Sequence, residues 1–414
     1  MKGILVILDG LGDLPNKLLN DRTPLEAAHM PNLDFLTARG KMGYMYPVRP
    51  DFIPEADESL VSIFGNNLIS STRGQLEASG TDLKLTRGDL ATRANFAAID
   101  SLKSGNILDR RVGRTLTTRE SEALAKAINT KVRLSTKFTF LPTIQHRGIL
   151  VLRGGLSDSI TNNDSAYNQG VFQEISKIRL CKPTDEDENS QYTANIVNEF
   201  LEKAHEVLNE HPINKERTSK GLLPANYILL RGAGVAPPQL KKYPKWFSVS
   251  YMPLEMGFSN LSGMEVHSFG YPELEDIDSY ANLYEGLKRA CDFSIKMIQK
   301  HHKRLDYAYV HINETDIPGH DNKPIEKKLM LEYIDSTLFD FLRKFAPSNN
   351  IKIIVTSNNS TPCKLKNHTA DPVPVLLYDD SMPEERHFSE KEARNGILGK
   401  IIGKDLLNKL GFNK

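Results

Sequence analysis

The stretch DYAYVHINETDIPGHDNKP, residues 306–324, shows how the fold is built. Residues 306–312 form an apolar run that reads as a buried strand. The run halts at Asn313, and the loop that follows carries Asp316 and His320 before Pro324 opens a helix. On that helix Leu331, Ile334, Leu338, Phe341 and Leu342 share one face at helical spacing. A strand, a polar loop bearing a carboxylate and an imidazole, and an amphipathic helix make one α/β unit. In such units ligands collect at the carboxyl ends of the strands.

The same grammar recurs at both ends of the chain. Ile4-Leu5-Val6-Ile7-Leu8 is a strand ended by Asp9-Gly10. Residues 23–40 predict one helix, with Thr23 as cap, Pro24 at its first position and Gly40 past its end. Residues 279–304 predict an amphipathic helix, and 351–357 and 372–378 two further strands. Alternating strands and helices imply a largely parallel sheet covered by helices on both faces. Residues 80–189 read differently, as short strand-like runs punctuated by Gly, Asp and Asn. They predict a smaller α+β insert within a core made of residues 1–79 and 190–414. After an acidic loop at 181–191, a helix and the strand at 225–232 are expected to rejoin the parallel sheet.

Composition limits the function classes. A chain of 414 residues with 39% hydrophobic and 25% charged residues suits a soluble protein of two domains. A net charge of +1 gives no global field toward nucleic acid or an anionic membrane, so neither is expected as a partner. Cys181, Cys291 and Cys363 are an odd number without metal-like spacing, which reads as reduced thiols in a cytoplasmic protein. The apolar run after Gly3 is too short for a signal-peptide core or a membrane span. No protein partner is legible.

Asp9, Asp316, His320 and His368 all fall at or just past strand ends. Carboxylate and imidazole together suit zinc or manganese, with magnesium as an alternative. Asp316 and His320 alone also fit a capping Asp and a surface His.

Several segments carry a resemblance: VILDGLGD (6–13), TPLEAAHMPNLDFL (23–36), NILDRRVGR (106–114), ANYILLRGAG (225–234), TDIPGHD (315–321) and STPCKLKNHTADPVPVLLY (360–378). In order, over almost the whole chain, they resemble the archaeal type of cofactor-independent phosphoglycerate mutase, within the alkaline phosphatase superfamily. The resemblance implies an alkaline-phosphatase-like α/β core interrupted by a phosphotransfer domain. It implies interconversion of 3-phosphoglycerate and 2-phosphoglycerate in glycolysis and gluconeogenesis, using two divalent metals and a serine nucleophile. Asp316, His320 and His368 match the ligands of one metal. Asp9 matches a ligand of the other, which the family completes with the serine and an Asp-His pair before Ser360-Thr361-Pro362.

This sequence departs from the pattern at the second metal. The Asp-His pair is Asn358-Asn359, and the family's Pro-Gly-Ser-Asp-Thr is Pro54-Glu55-Ala56-Asp57-Glu58. Ala56 takes the serine's place, Leu60 that of a histidine, and Met256 that of a lysine. A neutral asparagine is a weak ligand, and an alanine methyl cannot carry a phosphoryl group. Ser59 and Ser62 lie three and six residues out of register. These departures predict at most one divalent metal, with Asp9 a remnant of the second site, and no mutase turnover. The alternatives are an active mutase and a one-metal phosphoester hydrolase. Arg73, Arg110, Arg111, Arg114, Arg153 and Arg231 lie in matching segments. They are candidates for binding a phosphorylated three-carbon acid or similar anion, or else structural ion-pair formers.

Overall fold

Strand Gly3–Leu8 is buried along its whole length and alternates between two cores. Ile4, Val6 and Leu8 enter one apolar cluster, Leu5 and Ile7 another on the opposite face. Alternation of that kind places a strand inside a sheet covered on both sides. The computed structural model describes residues 1–68, 73–164, 167–168, 171–172, 176–275, 278–381 and 386–412.

The main sheet has eight strands, in the order Glu265–His267, Trp246–Val249, Tyr307–Ile312, Gly3–Leu8, Lys352–Thr356, Val373–Tyr378, Gly40–Tyr46 and Gly399–Ile402. All run in one direction except Val373–Tyr378, which is antiparallel to both neighbours. The expected largely parallel, doubly covered α/β sheet is therefore present. Gly3–Leu8 sits between the strands ending at Ile312 and Thr356, with Leu8 opposite Ile312 and Ile7 opposite Thr356. That register brings the carboxyl ends of three neighbouring strands together. Among the described residues no helix is long and apolar enough to cross a membrane.

Antiparallel pairing builds a second sheet from Leu90–Ile99, Ile107–Asp109, Phe138–Pro142, Arg147–Leu152 and Tyr227–Gly234. The strand predicted to rejoin the parallel sheet thus pairs with Leu90–Ile99 instead. The helix expected to return with it, Glu188–Asn209, buries Ile196, Phe200 and Leu201 in the same core as Phe96 and Phe140. The expectation fails because an apolar strand run carries no mark of which sheet it joins.

Two local expectations are also corrected. The helix predicted over 23–40 is two helices, Pro24–Ala27 and Pro31–Ala38, and Gly40 opens a strand. Pro31 has no N–H to continue the first helix and drives Met30 out of the helical region, so the chain turns there. Thr23 caps as expected, its hydroxyl accepting from Glu26 N while Glu26 accepts from Thr23 N. The loop after Ile312 contains a helical turn, Asp316–His320, which puts its terminal residues on one face. All three cysteines are free and buried.

Candidate functional site

Three strand ends and a buried ion pair shape the site. Gly10 turns the chain after Asp9 with φ near +63°, and a Cβ there would lie 2.4 Å from Asp316 Oδ1. Beneath the turn, Lys327 Nζ is fully buried 2.8 Å from Asp13 Oδ2 and also donates to Thr361 O at 3.1 Å. Asp13 accepts in addition from Cys363 N. The pair therefore fastens the helix after Pro324, the first turn and the loop at 359–363 to one another.

On this frame Asp316, His320 and His368 converge, with one ligand atom from each lying within 4.8 Å of the others. His320 Nε2 is 3.2 Å from Asp316 Oδ2, and His368 Nε2 is 3.8 Å from Asp316 Oδ1. Each remote ring nitrogen faces a carbonyl: His320 Nδ1 with Lys366 O at 3.0 Å, His368 Nδ1 with Pro54 O at 2.9 Å. A carbonyl only accepts, so both Nδ1 atoms donate and both Nε2 atoms are turned toward Asp316. Burial opposes ionisation of Asp316, but His320, His368 and the Thr361 hydroxyl outweigh it and hold the carboxyl well below its usual range. Burial lowers the pKa of His320, against the opposing pull of the Asp316 carboxylate. A carboxylate with two imidazole nitrogens turned toward it is a donor set that fits a divalent cation.

Asp9 stands in a different setting. Asn359 Nδ2 donates to Asp9 Oδ1 at 3.0 Å, and Asn359 Oδ1 faces the Thr361 hydroxyl at 2.7 Å. Only the amide nitrogen can donate to a carboxylate, which fixes the orientation of the side chain. His311 Nε2 lies 3.7 Å from Asp9 Oδ2. Burial disfavours its charge, yet the nearby carboxylates of Asp9 and Glu255 raise its pKa.

Above these groups opens a cleft, lined on one side by Asp9, Asp316, His320, Asn359 and His368. Its other side is cationic, with Arg73, Arg93, Arg111, Arg114, Arg147 and Arg231. Arg93 and Arg231 are cross-strand partners in the second sheet, an arrangement of like charges that needs anions nearby. Glu55 supplies one: its Oε2 is 2.9 Å from Arg73 Nη1 and 3.1 Å from Arg231 Nη1. Burial pushes Glu55 up, but Arg231, Arg73 and Arg93 prevail and hold it below the carboxylate range. Glu77 supplies another, 2.9 Å from Arg73 Nε and 3.6 Å from Arg93 Nε. Burial, then Arg73 and Arg231, still hold Arg93 well below its ordinary value. Burial and Arg111 bring Arg114 down to about 10.

These observations meet the comparisons with known proteins. A family model described as 2,3-bisphosphoglycerate-independent phosphoglycerate mutase matches residues 37–214. A Thermococcus kodakarensis protein of that name is 36% identical over 98% of this chain and 95% of its own. The chain belongs to this family. The solved cofactor-independent phosphoglycerate mutase of Thermoplasma acidophilum aligns with a TM-score of 0.57 at 30% identity, over 100% of this chain and 99% of that one. A Pyrococcus horikoshii protein aligns with a TM-score of 0.75 at 28% identity, over 100% and 98%.

The phosphoglycerate mutase pattern can now be followed residue by residue. Ala56 lines the cleft at the start of helix Ala56–Ile63, with Glu55 as N-cap and no hydroxyl to present. Ser59 and Ser62 are buried and line no part of the cleft. Asn358 is fully buried, with neither amide atom hydrogen-bonded, and also lies outside the lining. Arg73, Arg111, Arg114 and Arg231 reach the cleft. Arg110 and Arg153 do not line it: Arg110 pairs with Asp164, and Arg153 with Asp89. Sequence reasoning missed Arg93, Arg147, His146 and Glu55. The available signal was arginine inside the strand runs ATRANFAA and HRGILVL, where apolar residues are the rule.

Proposed function

We propose that this phosphoglycerate mutase relative binds one divalent cation and a small phosphorylated anion in its cleft, and does not transfer phosphoryl groups. The observation that carries the reading is the Asn359 amide, whose N–H points at Asp9 where a second cation would need a lone pair. Asp9, facing that donor and His311, is left as a remnant of the second metal site. Ala56 supports the same conclusion, since covalent transfer needs a nucleophile that its methyl cannot provide.

Asp316, His320 and His368 would hold the remaining cation, zinc or manganese rather than magnesium by their nitrogen content. Such a cation supplies Lewis-acid charge toward phosphate oxygens. Arg93, Arg147 and Arg231 suit the phosphate of a three-carbon acid through paired N–H donors. Glu55 already occupies Arg231, so a phosphate bound there must displace a carboxylate. The second sheet, through strand Tyr227–Gly234, is then the phosphotransfer-type unit, retained here as one wall of an anion pocket.

Phosphorus NMR of 3-phosphoglycerate conversion to 2-phosphoglycerate tests this. Wild type and Ala56→Ser are both expected to be inactive, because one hydroxyl does not rebuild the second metal site. Combining Glu55→Gly, Ala56→Ser, Leu60→His, Asn358→Asp and Asn359→His is expected to create turnover. Turnover by wild type or by Ala56→Ser alone would overturn the proposal. A second reading, a one-metal phosphoester hydrolase, is favoured by a three-donor set that leaves a coordination position open. Phosphate release from a simple aryl phosphate, abolished by His320→Ala, would select it.

A further inference from the structure

A second cluster of the same composition lies away from the cleft. Strand Glu265–His267 is the edge strand of the main sheet, and its first and last residues are two apart, so their side chains share a face. His301 ends helix Ser279–His301 and reaches the same spot. One ligand atom each from Glu265, His267 and His301 lies within 4.8 Å of the others. His267 Nε2 is 3.0 Å and His301 Nδ1 3.8 Å from Glu265 Oε1. The two rings stack at 4.3 Å, and Phe247 packs against both. None of the three residues lines the cleft.

We propose that Glu265, His267 and His301 form a separate binding site for a zinc-class divalent cation, with the Arg304 guanidinium as its exchangeable occupant. Three observations carry this. First, a cationic group already fills the position: Arg304 Nη2 is 2.5 Å from Glu265 Oε1 and 2.7 Å from His301 Nδ1. Arginine can only donate, so His301 Nδ1 is an acceptor whose lone pair faces the cluster. Second, His267 Nε2 is buried and makes no hydrogen bond, leaving an imidazole nitrogen beside a carboxylate. Third, the helix carbonyls ending at His301 add partial negative charge, which favours a cation there.

Arg304 is the part that can leave. Its side chain is 55% exposed, while those of His267 and His301 are 19% and 7% exposed. A long exposed side chain swings into water at little cost, whereas the ligands are held by the strand, the helix end and Phe247. Its departure would leave two imidazoles and a carboxylate with a fourth position open to solvent, a tetrahedral arrangement familiar for zinc.

The test is zinc stoichiometry and affinity in the full chain, with cobalt as a spectroscopic stand-in. His267→Asn should remove one equivalent of bound zinc relative to wild type, whatever the cleft itself holds. Within a His320→Ala, His368→Ala background, cobalt should give a tetrahedral visible spectrum that His267→Asn abolishes. Arg304→Gln keeps all three ligands and removes the competitor, so it should tighten zinc binding about twofold to fivefold, the worth of a half-exposed ion pair. A gain of that kind cannot come from misfolding. Equal zinc content in wild type and His267→Asn, or an Arg304→Gln chain that binds zinc no better, would overturn the proposal.

Discussion

Glu55→Gln is the substitution that most sharply probes the anion pocket. Glu55 faces Arg73 and Arg231 at 2.9 and 3.1 Å, with Arg93 close enough to lower its pKa further. Gln keeps the shape and removes the charge, leaving buried guanidinium groups short of an anion. Breaking a buried pair in this way costs about 3–5 kcal/mol of stability. An incoming phosphate, however, no longer has to displace a carboxylate whose bonds to charged donors contribute about 1.5–3 kcal/mol. Inorganic phosphate should therefore bind roughly tenfold to hundredfold more tightly, because each 1.4 kcal/mol is about a factor of ten. Calorimetric titration at low salt measures that affinity. Thermal unfolding supplies the linked readout, since phosphate at about 100 times its dissociation constant should restore about 2.7 kcal/mol to the variant. Unchanged or weaker phosphate binding by Glu55→Gln would refute the reasoning, for the carboxylate would then not stand where an anion binds.

Other perturbations follow from the same geometry. Lys327→Met strands Asp13 in a fully buried site and should destabilise the chain by about 3–5 kcal/mol in chemical denaturation; a loss below about 1 kcal/mol would show that the pair does not fasten the three segments. Burial and the neighbouring Asp57 push Glu58 up to about 8, well above its ordinary value. Its folded pKa exceeds the unfolded one, so wild type should lose stability as pH rises from about 4.5 to 8, by about 4 kcal/mol in all. Glu58→Gln, which can still accept from Glu55 N, should show much less of that loss, and parallel stability profiles for the two chains would count against it. In a His267→Asn background, His320→Ala should abolish the rise in unfolding temperature produced by zinc or manganese; a persisting rise would place the cation elsewhere.

Much of the site was legible because it depends on short-range signals. Continuous apolar runs mark Gly3–Leu8, Tyr307–Ile312 and Lys352–Thr356 as buried strands, and the polar groups just past them could only gather at one edge. Asp316 and His320 meet because one helical turn separates them. What stayed hidden depends on pairing between distant segments. Arg93 faces the cleft because Leu90–Ile99 pairs with Tyr227–Gly234 in a register that sets it opposite Arg231. A shift of one residue would have turned it into the apolar core with Ala94 and Phe96. Glu55 gave no warning either, since its partners come from a helix at Arg73 and a strand of the other sheet. Arg110 and Arg153 lie in segments that match the family, yet Asp164 and Asp89 claim them.

The most direct test of the central claim is a phosphorus NMR time course with 3-phosphoglycerate and excess zinc or manganese, run beside metal analysis of the His267→Asn chain. The account predicts no 2-phosphoglycerate above the protein-free control, and at most one metal per chain, lost on His320→Ala. Two metals per chain with turnover that His320→Ala abolishes would contradict it.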